Sequence, residues 1–244
     1  MLCVVVEVTG VTQLYDVVYM VCLESSTILR FNATTHQRLP DIDVHDLNHL
    51  WDIVACERTS QLYIVAYHDY FFWRNYSVWR LSSDGTDKKR WLPESPDDTF
   101  KPFKLSVTST RLLVTSRDTH QLRQFNVDGS ELRRVQLPDD MELRHAVESP
   151  TGTFIVSLNN TQLKQHHVVE VNTGGEVLRQ FSGSHLPSLG VTPHVAVDSH
   201  GNIFVADYDN RRILLLDNHL SQRRVIIDEP VSYTHLTLPT KRIV

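Results

Sequence analysis

No stretch of the 244 residues reaches the ~18 consecutive apolar side chains that a helical membrane span requires, so no membrane-embedded helix is expected. The apolar opening MLCVVVEV is short and interrupted by Glu7. It has neither a basic leader nor a small-residue cleavage site, which argues against a signal peptide. Only three cysteines occur (Cys3, Cys22 and Cys56), each inside an apolar run and without metal-type spacing. They read as buried reduced thiols in a cytoplasmic protein. With 9 glycines and 10 prolines, both scattered, the chain is neither collagen-like nor of low complexity. Positive charge is in short supply, with 24 Lys and Arg against 29 Asp and Glu. A net charge of −5 disfavours RNA and acidic membranes as partners. No phosphate-binding glycine loop, His-Glu-x-x-His, nucleophile elbow or calcium loop is present. The expectation is a non-enzyme with no cofactor and no small-molecule substrate.

What the chain does contain is a repeat. The apolar runs VVYMVC, LYIVA, RLLVTS, TFIVS and IFVAD end at Cys22, Ala66, Ser116, Ser157 and Asp207, at spacings of 44, 50, 41 and 50 residues. Each is followed by a second run: ILRF, VWRL, LRQF, VVEV and ILLL. Three units then carry hairpin-turn sequences, SSDG, NVDG and NTGG, ahead of a fourth strand. Helix-period stretches are scarce. A four-stranded sheet cannot cover both its faces alone, so the units must stack. Repeats of roughly 40–50 residues with four strands each predict an all-β fold, a β-propeller of antiparallel blades. The blades are expected at about 1–44, 45–93, 94–138, 139–186 and 187–229.

The fifth unit is the most explicit. It reads Pro193-His194-Val195-Ala196-Val197-Asp198, then Gly201-Asn202-Ile203-Phe204-Val205-Ala206-Asp207, then Asn210-Arg211-Arg212-Ile213. This resembles an NHL repeat, departing from the family pattern at His194, where glycine is usual, and at the additional Arg211. The earlier units keep the apolar skeleton but hold Ser157, Ser116, Ala66 and Cys22 where this one has Asp207. The resemblance implies structural roles for Asp198, Gly201, Asp207, Asn210 and Arg212, with Asp207 capping the following loop. It also implies a six-bladed ring, of which five blades are countable. The segment 230–244 carries no blade pattern and reads as a non-native tail, which makes the chain a fragment. In tripartite-motif proteins a similar propeller follows RING, B-box and coiled-coil modules. No such cysteine-histidine module occurs here, and a free-standing propeller fits equally well.

Candidate binding residues lie where the repeat is irregular. The step between second and third strands is six residues in units one, three and five, but twelve in unit two and eleven in unit four. The unit-two insertion contains Tyr70, Phe71, Phe72, Trp73 and Arg74. Aromatics with arginine carry much of the energy of protein interfaces, and loops on a rigid scaffold present them. Two readings stay open: a partner-binding loop, or an insertion that folds back and buries its rings. The thirteen histidines, among them His45, His49, His68, His166 and His167, show no spacing that repeats between units, so no metal site is assigned. The pairs and triplets Lys88-Lys89-Arg90, Arg133-Arg134, Arg211-Arg212 and Arg223-Arg224 would form a local basic rim. That keeps RNA as an alternative to a protein partner, and a metal-dependent propeller lyase or hydrolase is the enzymatic alternative.

Overall fold

The structure, a computed structural model, describes residues 7–47, 49–70, 73–92, 99–108, 110–116, 118–162, 165–181, 189–190, 193–221 and 223–227. It is all-β, with five four-stranded antiparallel sheets. Blade one comprises β1 (Val8–Leu14), β2 (Val17–Cys22), β3 (Thr27–Asn32) and β4 (Arg38–Asp43). Blade two comprises β5 (His49–Cys56), β6 (Gln61–Tyr70), β7 (Trp73–Ser82) and β8 (Lys88–Arg90). Blade three is β9 (Lys104–Val107), β10 (Arg111–Ser116), β11 (Gln121–Asn126) and β12 (Glu131–Gln136). Blade four is β13 (Met141–Glu148), β14 (Phe154–Asn160), β15 (Gln165–Val171) and β16 (Val177–Gln180). Blade five is β17 (His194–Val197), β18 (Ile203–Asp207), β19 (Arg212–Leu216) and β20 (Arg223–Ile227). In every blade the strands pair in chain order, a meander.

The second strand of an internal blade is apolar along its centre because both of its faces are covered. In β6, Ile64 points into the cluster shared with Leu14, Tyr19 and Ile28 of blade one. Its neighbours Tyr63 and Val65 point the other way, onto Leu105, Leu112 and Val114 of blade three. The alternation continues with Leu113, Leu122 and Val135 against Phe154 and Val156. It closes with Ile155 and Val168 against Val195, Val205 and Leu214. Each fully buried aliphatic side chain contributes roughly 1.5–3 kcal/mol relative to exposure. Stability therefore resides between blades as much as within them, as expected for a stacked repeat.

The glycine-marked turns close the third-to-fourth-strand hairpins. The amides of Gly85, Gly129 and Gly175 donate to Ser82, Asn126 and Asn172 carbonyls, and all three glycines have positive φ (81°, 96° and 89°). Cys22 and Cys56 are buried, and Cys3 lies outside the described residues, as does the segment 230–244. The unit-two insertion departs from the loop reading. β6 and β7 stay paired from Gln61↔Ser82 to Tyr70↔Trp73, so the segment is a continuation of the hairpin. Its Tyr, Trp and Phe content is strand-forming, and a twisted two-stranded ribbon satisfies the backbone without a fold-back.

Candidate functional site at the channel mouth

The innermost strands of the five blades, β1, β5, β9, β13 and β17, line the central axis. In three of them the pairing with the second strand slips by one residue. Val8 and Gly10 face Cys22 and Val21, leaving Thr9 as the additional residue. Leu50 and Asp52 face Ala66 and Val65, leaving Trp51. Leu143 and His145 face Leu158 and Ser157, leaving Arg144. A bulge turns one side chain away from the alternation of its strand. All three bulged residues line the same cavity, together with Phe103 and Lys104 of blade three and Pro193, His194 and Tyr208 of blade five.

Beneath the cavity the blades are joined by side chains that bond to neighbouring backbones. Thr9 Oγ1 donates to the Leu50 carbonyl (3.0 Å), and the Ala55 amide donates to Thr12 Oγ1 (3.1 Å). The Leu105 amide donates to Asp52 Oδ2 at 2.8 Å. His145 Nε2 lies 3.3 Å from the Leu105 carbonyl, and the Val195 amide donates to His145 Nδ1 at 3.3 Å. One nitrogen thus donates and the other accepts, which fixes a neutral imidazole with its proton on Nε2. Burial, followed by the charge of Lys104, pushes the His145 pKa down from 6.5 to about 4. His194, whose ring centroid is 5.3 Å from that of His145, is pushed well below its ordinary value by burial and then by Lys104.

Lys104 reaches across the axis. Its Nζ donates to the Thr9 carbonyl (3.1 Å), stands 3.6 Å from Asp52 Oδ1, and lies 5.4 Å from the centre of the Trp51 ring. Burial pushes the Asp52 carboxyl up and the Lys104 ammonium down, while their mutual attraction opposes both shifts. Arg144 is paired with Glu142 at 3.1 Å. Lys104 and Arg144 each thus have a carboxylate beside them, and the exposed Glu7 also lines the cavity. What it offers a visitor is Trp51, Phe103, Val8, Pro193 and Tyr208 around a space of about 130 Å³. That suits one apolar side chain and falls short of the ~300–1,000 Å³ typical of small-molecule pockets.

The aromatic hairpin rises from this same side. β6 runs antiparallel to β5, so its end at Tyr70 projects beyond the start of β5, where Trp51 stands. Tyr67 and Tyr76, at the hairpin base, belong to the packing: Tyr67 stacks on His49 (4.7 Å) and meets Tyr76 (5.4 Å), and Trp51 meets Phe103 (5.5 Å). Of the proposed contact residues, the backbones of Tyr70, Trp73 and Arg74 extend the ladder, and Phe71 and Phe72 lie outside the described residues.

The blade-five residues sit in two turns. Asp198 Oδ1 accepts from the His200 and Asn202 amides (both 2.9 Å), with Gly201 at φ 84°. Asp207, fully buried, accepts from Asn210 Nδ2 (3.0 and 2.9 Å), Arg212 Nε (2.7 Å) and the Gly190 amide (2.8 Å). This set braces the loop that presents Tyr208, which is 42% exposed, at the cavity rim. Among the described residues no group of three or more His, Cys, Asp or Glu is placed to hold a metal ion. The residues that sequence reasoning missed are Thr9, Asp52, Lys104, Arg144 and His145.

No protein-family model matches the sequence, and no curated protein does. Solved structures do match in shape. The nidogen/laminin complex aligns at 15% identity over 88% of this chain and 78% of that one, with a TM-score of 0.64. Kuenenia stuttgartiensis hydrazine synthase aligns at 14% identity over 86% and 64%, TM-score 0.62. Virginiamycin B lyase from Staphylococcus aureus aligns at 10% identity over 92% and 71%, TM-score 0.58. These neighbours include both a protein-binding assembly and enzymes, and at such identities they establish one thing in common: the chain is a β-propeller.

Proposed function

We propose that the chain is a non-enzymatic, NHL-type propeller that binds a protein partner on the face carrying the channel mouth and the β6–β7 hairpin. One apolar side chain of the partner inserts into the cavity, and the hairpin flanks it. The observation that carries this reading is the convergence of Thr9, Trp51 and Arg144, three bulged residues from three blades, on one small, largely apolar cavity. An apolar anchor in a desolvated pocket, surrounded by contacts that exclude water, is how protein interfaces concentrate their energy. Lys104, Asp52 and His145 are engaged with neighbouring backbone, which supports a scaffold over a catalytic role. The nidogen/laminin neighbour, solved as a complex of two proteins, supports a protein partner as well. The NHL reading rests on the turn set of Asp198, Gly201, Asp207, Asn210 and Arg212 in blade five.

The test is a random-peptide phage library panned on the folded chain. Enriched peptides sharing one apolar residue, with binding lost in Tyr208→Arg, are expected. Enriched peptides that bind Tyr208→Arg and Trp51→Ala as well as they bind the unaltered chain would overturn the reading.

A further inference from the structure

A second cavity, of about 430 Å³, lies on the opposite side of the ring between blades four and five. It is bounded by the β13–β14 turn (149–153), the β17–β18 turn and the β19–β20 turn, all of which lie at the far ends of their blades from Tyr208. Its lining is largely apolar: Ile155, Val197 and Ile203 form the floor, and Leu178, 47% exposed, stands at the edge. Glu170 is the one carboxylate in the lining, and it is sealed beneath the surface. Its Oε1 accepts from Thr153 Oγ1 at 2.7 Å, and its Oε2 is paired with Arg179 Nη1 at 3.2 Å. The same Nη1 donates to the Asn218 carbonyl (3.0 Å) and lies 3.3 Å from His219 Nδ1. Every contact of Arg179 thus falls on one nitrogen. Among the described residues its Nε and Nη2 meet no acceptor, and the side chain is 45% exposed.

A guanidinium carries five N–H groups in a rigid plane, and the edge formed by Nε and Nη2 presents two parallel donors that match the two oxygens of a carboxylate. In Arg179 that edge is the one left over. The Nη1 contacts hold the plane in place, so a ligand meets a donor pair whose side-chain freedom is already restricted, which lowers the ordering cost of binding. With Glu170 sealed below, the cleft presents a cation beside an apolar hollow, the complement of an anion with an apolar tail. We propose that this cleft binds a small apolar monocarboxylate. Its two oxygens accept from Arg179 Nε and Nη2, and its tail lies along Leu178 and Val197. The volume is within the range of small-molecule pockets, which sets this cavity apart from the channel mouth.

The experiment is calorimetric titration of the whole chain with 4-phenylbutanoate, with 4-phenylbutanamide, which keeps the tail and lacks the charge, and with acetate, which keeps the charge and lacks the tail. Saturable binding of phenylbutanoate is expected, at least about tenfold tighter than either analogue. Leu178 is exposed, so its replacement spares the fold: Leu178→Glu is expected to weaken phenylbutanoate at least about threefold, and Leu178→Lys to strengthen it. Arg179→Lys keeps a cation for Glu170 but loses the planar fork, and is expected to bind phenylbutanoate about as weakly as the unaltered chain binds the amide. Unfolding midpoints of the three variants report that each is folded. Absence of saturable heat with phenylbutanoate up to about 10 mM would overturn the proposal. So would equal binding of phenylbutanoate and its amide, or the same affinity in Leu178→Glu and Leu178→Lys. The two sites lie on opposite faces, so failure here leaves peptide binding at the channel mouth untouched.

Discussion

Lys104 Nζ lies 3.6 Å from Asp52 Oδ1 at a site where the two residues are 4% and 5% exposed, and this pair ties blade three to blade two at the channel axis. Removing one partner leaves an uncompensated buried charge, which costs about 3–5 kcal/mol, whereas replacing both by apolar residues of similar volume is often close to neutral. Lys104→Met alone is therefore expected to lower stability by that amount. The double variant Lys104→Met, Asp52→Leu recovers most of the loss, less the hydrogen bond from the Leu105 amide. Denaturant unfolding of the four proteins in the cycle measures the coupling.

Acid acts through His145. Its folded pKa of about 4 lies below its ordinary 6.5, so the unfolded chain binds the proton more tightly. The stability held by the neutral ring is fully present above pH 6.5 and declines as the pH falls towards about 4, with a total of the order of 3 kcal/mol. His145→Gln is expected to lower stability at neutral pH and to flatten the dependence across that window. Unfolding midpoints measured along a pH series check both effects.

Gly10 is required by close approach. A Cβ there would stand 2.8 Å from the Ile53 amide nitrogen and 3.1 Å from Asp52 Cα, both backbone atoms of the next blade. Gly10→Ala is expected to cost about 1–3 kcal/mol by overpacking. Gly152→Ala separates sterics from conformation, because nothing lies within 4 Å of its Cβ position and only its φ of +81° opposes the change. Its cost is expected to be nearer 1 kcal/mol. Thermal melts of the two variants, compared directly, test the distinction.

Asp207→Ala strips three donors, Asn210 Nδ2, Arg212 Nε and the Gly190 amide, of their acceptor and leaves Arg212, 7% exposed, without its carboxylate. A loss of about 3–5 kcal/mol is expected. Asp207→Asn retains an acceptor oxygen and loses less. Both variants loosen the loop that carries Tyr208, so amide exchange across 208–211 rises ahead of global unfolding.

Much of this architecture is legible in the sequence because its cause is local. LYIVA is apolar throughout since both faces of β6 are covered, and a similar apolar run recurs with every blade. The turns at Gly85, Gly129 and Gly175 announce themselves because glycine tolerates positive φ. The irregular spacing of unit two suggested a loop, whereas β6 runs to Tyr70 and β7 begins at Trp73, in keeping with the strand-forming aromatic content of those strands. The channel mouth was not legible. A bulge is a mismatch between two strands, so nothing in the local sequence of Thr9, Trp51 or Arg144 marks them as neighbours in space. Lys104 and Asp52 belong to different blades, and His145 bridges two blades other than its own. Only the closing of blade on blade brings these residues together.

Amide hydrogen exchange with and without a phage-selected peptide tests the face assignment most directly. Protection is expected at the starts of β5 and β9, in the β6–β7 hairpin and around Tyr208. Replacing residues 68–75 by a two-residue Asn-Gly turn should abolish the hairpin share of binding while leaving the unfolding midpoint unchanged. Protection confined to the β13–β14 and β17–β18 turns, on the opposite face, would contradict the assignment of the partner to the channel mouth.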